Sequence, residues 1–124
     1  MAIGVIDYGA GNLGSVMNAL SRLGADARFV RGPEELLKDG LFERLLFPGD
    51  GHFSATMDAL NESGYAEAVR EWIAADKPFL GVCIGLQLLF DVSEEAPGKA
   101  GLGIVRGRVK KFPCRKIPQI GWNR

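Results

Sequence analysis

Cys83 is the residue of this chain best placed to act as a nucleophile, because a glycine lies two positions away on either side. The apolar run 79–82 before it predicts a buried parallel strand, and the run 84–90 after it predicts a buried helix. Glycines allow a strained strand-to-helix turn, which holds the thiol at the carboxyl end of the strand. The positive end of the helix favours the thiolate. This pattern predicts a nucleophile elbow rather than a cysteine packed as a small hydrophobic group.

A second pair of glycines follows another candidate strand, residues 44–47. Glycines directly after a buried strand allow the backbone to approach a ligand closely. Peptide N–H groups of such a loop could stabilise a developing oxyanion, together with the N–H of Ile84, the residue after the nucleophile. The candidate donors in the loop are Gly49, Asp50 and Gly51. The alternative interpretation is an ordinary strand-to-helix turn.

His52 is the only histidine in the sequence, so it has to be considered as the base for Cys83. A base must reach the proton of the nucleophile while a third group orients it. His52 lies directly on the glycine loop that is expected to supply oxyanion donors. We therefore predict that it is a surface or helix-capping residue.

Residues 9–14 read Gly-Ala-Gly-Asn-Leu-Gly between a predicted strand, 3–8, and a predicted helix that ends before Gly24. This spacing matches the dinucleotide-binding fingerprint, which also needs an acidic residue at the end of the second strand. That strand, 25–30, ends instead at Arg31, which could suit a 2′-phosphate. A nucleotide site on the Gly9–Gly14 loop stays open beside the simpler interpretation of a tight turn.

The remaining pattern and the composition predict one α/β domain with a parallel sheet. Short helices are expected at 33–38, 54–61 and 65–75, and a β run at 106–112. The 124 residues carry 15 basic and 15 acidic side chains, which gives no reason to expect nucleic acid or a membrane as partner. Two cysteines at unrelated spacing predict a reducing, cytoplasmic location and no disulfide framework. We predict no cofactor and no metal.

Taken together, these segments resemble the class I glutamine amidotransferases, and among them the glutaminase subunits of imidazole glycerol phosphate synthase. The Gly-x-Cys-x-Gly elbow is shared by the whole superfamily. The opening Asp-Tyr-Gly-Ala-Gly-Asn-Leu and the late Gly-Trp-Asn narrow the resemblance to the subunit. The segments that carry it are 7–13, 48–53, 81–90, 93–98 and 118–123.

The resemblance implies a three-layer, flavodoxin-like sandwich with a parallel sheet, incomplete at its C-terminus. It implies that Cys83 attacks the side-chain amide of glutamine, forms a glutamyl thioester and releases ammonia. The residues that would hold the glutamine are Gly51, Gln87 and Glu95.

The resemblance also implies a partner. Ammonia would pass to a separate (β/α)8 cyclase subunit, which uses it in histidine biosynthesis, and the two subunits would form a heterodimer. The residues that would face the cyclase are Pro118, Trp122 and Asn123.

In the family that the sequence resembles, a downstream His-x-Glu completes the catalytic triad, and these 124 residues contain no such pair. We therefore expect residues 1–124 to be the N-terminal portion of a single amidotransferase domain, with little or no turnover alone. Two alternatives stay open: a non-catalytic subunit that docks on the cyclase, and a nucleotide-binding α/β domain.

Overall fold

A parallel four-stranded sheet organises the chain, in a computed structural model that describes residues 2–9, 12–113, 118 and 121–122. Its strands, in chain order, are β1 (Ala2–Ile6), β2 (Ala27–Val30), β3 (Phe42–Phe47) and β4 (Phe79–Gly81). Their order across the sheet is β2-β1-β3-β4, and every neighbouring pair is parallel. The carboxyl ends of all four strands therefore meet at one edge, where ligands bind in open α/β sheets.

Five helices and a small second sheet complete the described structure. The helices are α1 (Leu13–Arg22), α2 (Pro33–Leu36), α3 (Phe53–Ser63), α4 (Tyr65–Ala74) and α5 (Ile84–Gln87). Two short strands, β5 (Val92–Ser93) and β6 (Arg108–Val109), pair in parallel with each other. The α/β prediction is confirmed, while the β run predicted at 106–112 is reduced to the two residues of β6. None of the described helices is long and apolar enough to cross a membrane.

The core lies between the sheet and the pair α3–α4. Both helices form where the apolar periodicity predicts them, and Gly64 joins them with a φ of 85° that favours glycine. The buried side chains between these layers include Ile6, Leu45, Phe47, Phe53, Leu60, Val69 and Trp72. This packing fixes the ends of β1 and β3, which carry the loops of the candidate site.

Helix α1 packs less closely than its apolar stripe predicts. No residue of the helix is fully buried, and Leu23, at its C-cap, is largely exposed. The predicted stop is confirmed, because Gly24 follows with a φ of 72°. The helix therefore covers its side of the sheet only in part.

Strand β4 was predicted to be buried, and this prediction is wrong for one face. Val5, Leu46 and Leu80 are neighbours across β1, β3 and β4. Their exposed fractions rise from 0% through 9% to 61% towards β4. The reason is position, since β4 is the last described strand of the sheet and α1 lies over β2.

The helix predicted over 84–90 is a single turn. Helix α5 ends at Gln87, and the chain continues through turns in which Leu89 and Phe90 donate to carbonyls three residues earlier. Leu86 is exposed rather than buried. The apolar run after Cys83 therefore serves the elbow turn more than a long core helix.

Candidate active site

Cys83 lies at the turn between β4 and α5 with φ 57° and ψ −117°. This conformation is strained for a residue with a side chain, and such strain concentrates at functional sites. The thiol is exposed and forms no disulfide with any described residue. The predicted nucleophile elbow is therefore present in its geometry: strand, strained cysteine, helix N-terminus.

The two glycines of the motif are required by close backbone contacts. A Cβ on Gly85 would collide with the carbonyl of Phe47 at the end of β3, and a Cβ on Gly81 would collide with the carbonyl of Gly85. Strand and helix can approach this closely only without side chains at these positions. The sequence spacing around Cys83 thus follows from packing as well as from chemistry.

The glycine loop after β3 lies beside the elbow. Val82 donates its N–H to the carbonyl of Phe47 at 3.0 Å, which joins the ends of β3 and β4. Ile84 donates its N–H to the carbonyl of Gly49 at 3.4 Å. The loop and the N–H predicted as oxyanion donor are therefore brought together, but here that N–H is engaged by a carbonyl of the loop.

Tyr8, which follows β1, was not among the predicted site residues. A Cβ on Gly49 would collide with its hydroxyl, and its ring stacks on Phe47 with centroids 5.3 Å apart and planes 3° apart. The hydroxyl is buried without a hydrogen bond to any residue that the structure describes. Burial raises the pKa of Tyr8, an effect that the neighbouring Thr56 hydroxyl and Gly51 backbone partly oppose, while the charges of Asp50 and Cys83 add to it.

His52 caps helix α3, as its position in the sequence predicts. Its Nδ1 accepts the N–H of Ser54 at 3.2 Å, and its Nε2 lies 3.8 Å from Oε1 of Glu95. The other carboxylate oxygen of Glu95 accepts the N–H of Phe53 at 3.1 Å. Both nitrogens of the imidazole are directed to groups other than Cys83, so this geometry does not present His52 as its base.

Gln87 and Glu95, two of the predicted glutamine-binding residues, line the same cavity of about 450 Å³. Glu95 is tied to the α3 N-terminus just after Gly51, which connects the cavity wall to the glycine loop. Lys110 and Lys111 also line the cavity, and sequence reasoning did not select them. The sequence around these lysines gave little indication of a binding site, because a basic run on a short strand is most often a solvated face.

The N-terminal glycine loop has little of the packing that a dinucleotide site requires. The third glycine of that fingerprint normally allows helix and strand to pack closely. A Cβ on Gly14 would meet only Oδ1 of Asn12, at 3.7 Å. The Asp7 carboxylate accepts the N–H of Gly9 at 2.9 Å, which explains the turn without a ligand.

Of the predicted partner-facing residues, Pro118 and Trp122 are exposed, and Asn123 lies outside the described residues. Cys114, the second cysteine, also lies outside them. Within the described part of the chain, no group of three or more His, Cys, Asp or Glu side chains could hold a metal ion.

Comparison with known proteins identifies the family to which this fold and elbow belong. The sequence profile of the family Glutamine amidotransferase class-I matches residues 4–123. The chain therefore belongs to that family. A solved structure described as a glutamine amidotransferase superposes with a TM-score of 0.75 at 25% identity, covering 93% of this chain and 60% of the other.

The curated relatives of this chain are named as imidazole glycerol phosphate synthase proteins. The subunit HisH of a Thermus thermophilus strain is 44% identical over 96% of this chain, and that of Synechococcus sp. is 48% identical over 98%. The chloroplastic hisHF protein of Arabidopsis thaliana is 48% identical over 96%. The chain spans 59%, 56% and 20% of these proteins, respectively.

Proposed function

We propose that this chain carries the nucleophile of a glutaminase that converts glutamine and water into glutamate and ammonia, as part of an imidazole glycerol phosphate synthase. One observation carries the proposal: the exposed Cys83 is held in a strained elbow directly beside the Gly49–Gly51 loop. The names of the similar relatives support the choice of synthase.

In the proposed reaction, the Cys83 thiolate attacks the side-chain amide carbon of glutamine and forms a C–S bond. The oxyanion that develops takes the N–H of Ile84, which must give up the Gly49 carbonyl that it now contacts. Other donors would come from the peptides of Gly49, Asp50 and Gly51. The C–N bond then breaks as the leaving nitrogen takes a proton from water, and ammonia departs. Water adds to the glutamyl thioester, the C–S bond breaks, and glutamate and the Cys83 thiol are released.

The glutamine would lie between the elbow and the cavity that Gln87 and Glu95 line. The carboxylate of Glu95 suits the ammonium group of the amino acid, and the Gln87 amide can both donate and accept. Gly51 would contact the ligand through its backbone, and a Cβ there would collide with the Thr56 hydroxyl. Glu95 would have to exchange part of its contact with His52 and Phe53 for the substrate.

We propose that ammonia passes to a (β/α)8 cyclase subunit in a heterodimer. The exposed indole of Trp122 supports a protein contact there, because large aromatic groups are enriched at interfaces. Pro118 and Asn123 would belong to the same contact. We place this activity in the cytoplasm, because a nucleophilic thiol needs a reducing compartment.

The first experiment tests the nucleophile with a chloromethyl ketone analogue of glutamine. The Cys83 thiolate should displace chloride and form a thioether, and added glutamine should slow the reaction by competition. Cys83→Ala should remove the labelling. Labelling that glutamine does not slow, or that is no faster than in urea-unfolded chain, would refute the proposal.

A second candidate is a docking subunit without turnover. It is favoured by the position of His52, the sole histidine of the sequence, which caps α3 instead of facing the thiol. Ammonia release from glutamine separates the two, measured with and without an imidazole glycerol phosphate synthase cyclase subunit. Because a thiol without a base is only a few per cent thiolate at neutral pH, we expect slow release from these 124 residues. Binding to the cyclase without glutamine-protected labelling would favour docking alone.

A further inference from the structure

The hydrogen bond between the Ile84 N–H and the Gly49 carbonyl has to break in the proposed reaction, which leaves the carbonyl without a donor. The Gly49 carbonyl accepts the Ile84 N–H at 3.4 Å, and the proposed reaction gives that N–H to an oxyanion. Gly49 is only partly exposed. A partly buried carbonyl that loses its donor costs free energy unless a new donor replaces it.

Tyr8 holds a hydroxyl donor next to Gly49. Its hydroxyl is buried and has no hydrogen-bond partner among the described residues. It lies against Gly49, where a Cβ would collide with it, and 3.3 Å from the position that a Cβ of Gly51 would take. The parallel stack on Phe47 fixes the ring, so the hydroxyl is aimed at the loop and cannot easily turn to solvent.

We propose that Tyr8 is a positioning residue for the oxyanion loop. Its hydroxyl donates to the Gly49 carbonyl while the Ile84 N–H holds the oxyanion, so that the loop changes partners without leaving the partly buried Gly49 carbonyl unpaired. The inference rests on the proposed function, because it concerns the loop's state during attack on the amide. Tyr8 touches the loop and not the substrate.

The neighbours of Tyr8 fit this role. Thr56, on α3, is buried, and its hydroxyl lies beside both Gly51 and Tyr8. A Thr56 hydroxyl can donate to the Tyr8 oxygen while Tyr8 donates onward to the loop, which completes the exchange. The glycine at position 49 is also explained, since a side chain there would displace the tyrosine hydroxyl.

The test compares Tyr8→Phe with Tyr65→Phe in the full chain. Both variants remove one buried hydroxyl and keep the ring, but the Tyr65 hydroxyl donates to the Val30 carbonyl at 3.2 Å, away from the elbow. Inactivation by the glutamine chloromethyl ketone is measured to saturation, which separates the maximal rate from the half-saturating concentration. Iodoacetamide labelling of Cys83 reports the thiol without the amino-acid portion of the ligand.

For Tyr8→Phe we expect a maximal inactivation rate about tenfold lower, as for the loss of one hydrogen bond made during attack. The half-saturating concentration and the iodoacetamide rate should stay unchanged. The urea midpoint should not fall, because the hydroxyl removed has no hydrogen-bond partner among the described residues in the ground state. Tyr65→Phe should lower the midpoint and leave inactivation unchanged.

Equal maximal rates for wild type and Tyr8→Phe would overturn the role of Tyr8 while leaving the proposed function intact. A slower rate accompanied by a lower urea midpoint and slower iodoacetamide labelling would also overturn it, because the residue would then be structural. Wild-type chain that fails to show glutamine-protected labelling would overturn both proposals together.

Discussion

The backbone conformation of Cys83 costs stability and positions the thiol at the end of β4. Its φ of 57° with ψ −117° is accessible to glycine and unfavourable for any residue with a Cβ. The turn is held from both sides, because the Val82 N–H donates to Phe47 and the Cys83 carbonyl accepts the N–H groups of Leu86 and Gln87. The surrounding hydrogen bonds therefore impose a conformation that the cysteine alone would avoid.

This strain predicts that Cys83→Gly is more stable than Cys83→Ala. Alanine keeps the unfavourable conformation, whereas glycine adopts it without strain. Part of this stabilisation is lost, because glycine also increases the conformational entropy of the unfolded chain. We expect a net difference of about 1 kcal/mol in the free energy of unfolding, measured by urea denaturation. A glycine variant less stable than the alanine variant would show that the turn is not strained.

The two tyrosines with raised pKa values predict how stability changes at alkaline pH. Burial is the main cause at both Tyr8 and Tyr65, and it disfavours the phenolate. Below a pH of about 10 both tyrosines are protonated in the folded and unfolded chains, so their contribution is fully present. As the pH rises towards the folded pKa values, the unfolded chain ionises first, and the contribution is lost.

We therefore expect the urea midpoint to fall above a pH of about 10, and to fall less steeply when both tyrosines are replaced by phenylalanine. Urea denaturation of the wild type and of the double variant across this range measures the difference. Equal slopes for the two proteins would mean that neither tyrosine has a higher pKa in the folded chain than in the unfolded chain.

At the scale of elements, the elbow depends on how closely α5 approaches the end of β3. The Gly85 position faces the backbone carbonyl of Phe47, and a backbone atom cannot yield as a flexible side chain can. Gly14, in α1, is the contrasting case, because only the Asn12 side chain lies near its Cβ position, at 3.7 Å.

Gly85→Ala should therefore destabilise the chain by about 3 kcal/mol or more and disturb the Cys83 thiol. Gly14→Ala is the matched control, and the higher helix propensity of alanine should raise stability by up to about 1 kcal/mol. Urea midpoints and iodoacetamide labelling of both variants provide the measurement. Similar midpoints for the two variants would contradict the close approach.

The elements that sequence predicts well are those set by local patterns. Gly24 and Gly64 end helices because they adopt positive φ, and the periodicity of α3 and α4 matches one buried face. The elbow was predictable because its glycines are required by local backbone geometry. The place of His52 on the glycine loop predicted a surface or helix-capping residue, and it is the N-cap of α3.

Other features depend on neighbours that are distant in sequence. Tyr8 acquires its surroundings from the ends of β1 and β3 and from α3, so its role could not be predicted from the residues beside it. The exposure of Leu80 depends on the order of strands, which an apolar run does not reveal. Partners across space, rather than local propensity, limited the sequence prediction of this site.

At the scale of the whole molecule, the two faces of the sheet are covered unequally. Helices α3 and α4 pack over one face and form the core with it, while on the other face α1 leaves an apolar cavity of about 290 Å³ that Leu20, Leu46 and Leu80 help to line. Strand β4 pairs with β3 alone among the described strands. An apolar face beside an unpaired strand edge favours association between chains.

We therefore expect the 124-residue chain to self-associate as its concentration rises. Leu80→Lys should weaken this association by about tenfold or more, since burying one leucine contributes roughly 1.5–3 kcal/mol. A lysine at this edge also opposes strand pairing by charge. Leu37→Lys is the matched control, because Leu37 is similarly exposed but follows α2, away from β4. Sedimentation velocity over a concentration series measures both variants. Unchanged association in Leu80→Lys, or an equal loss in Leu37→Lys, would show that the open face of β4 is not where the chains meet.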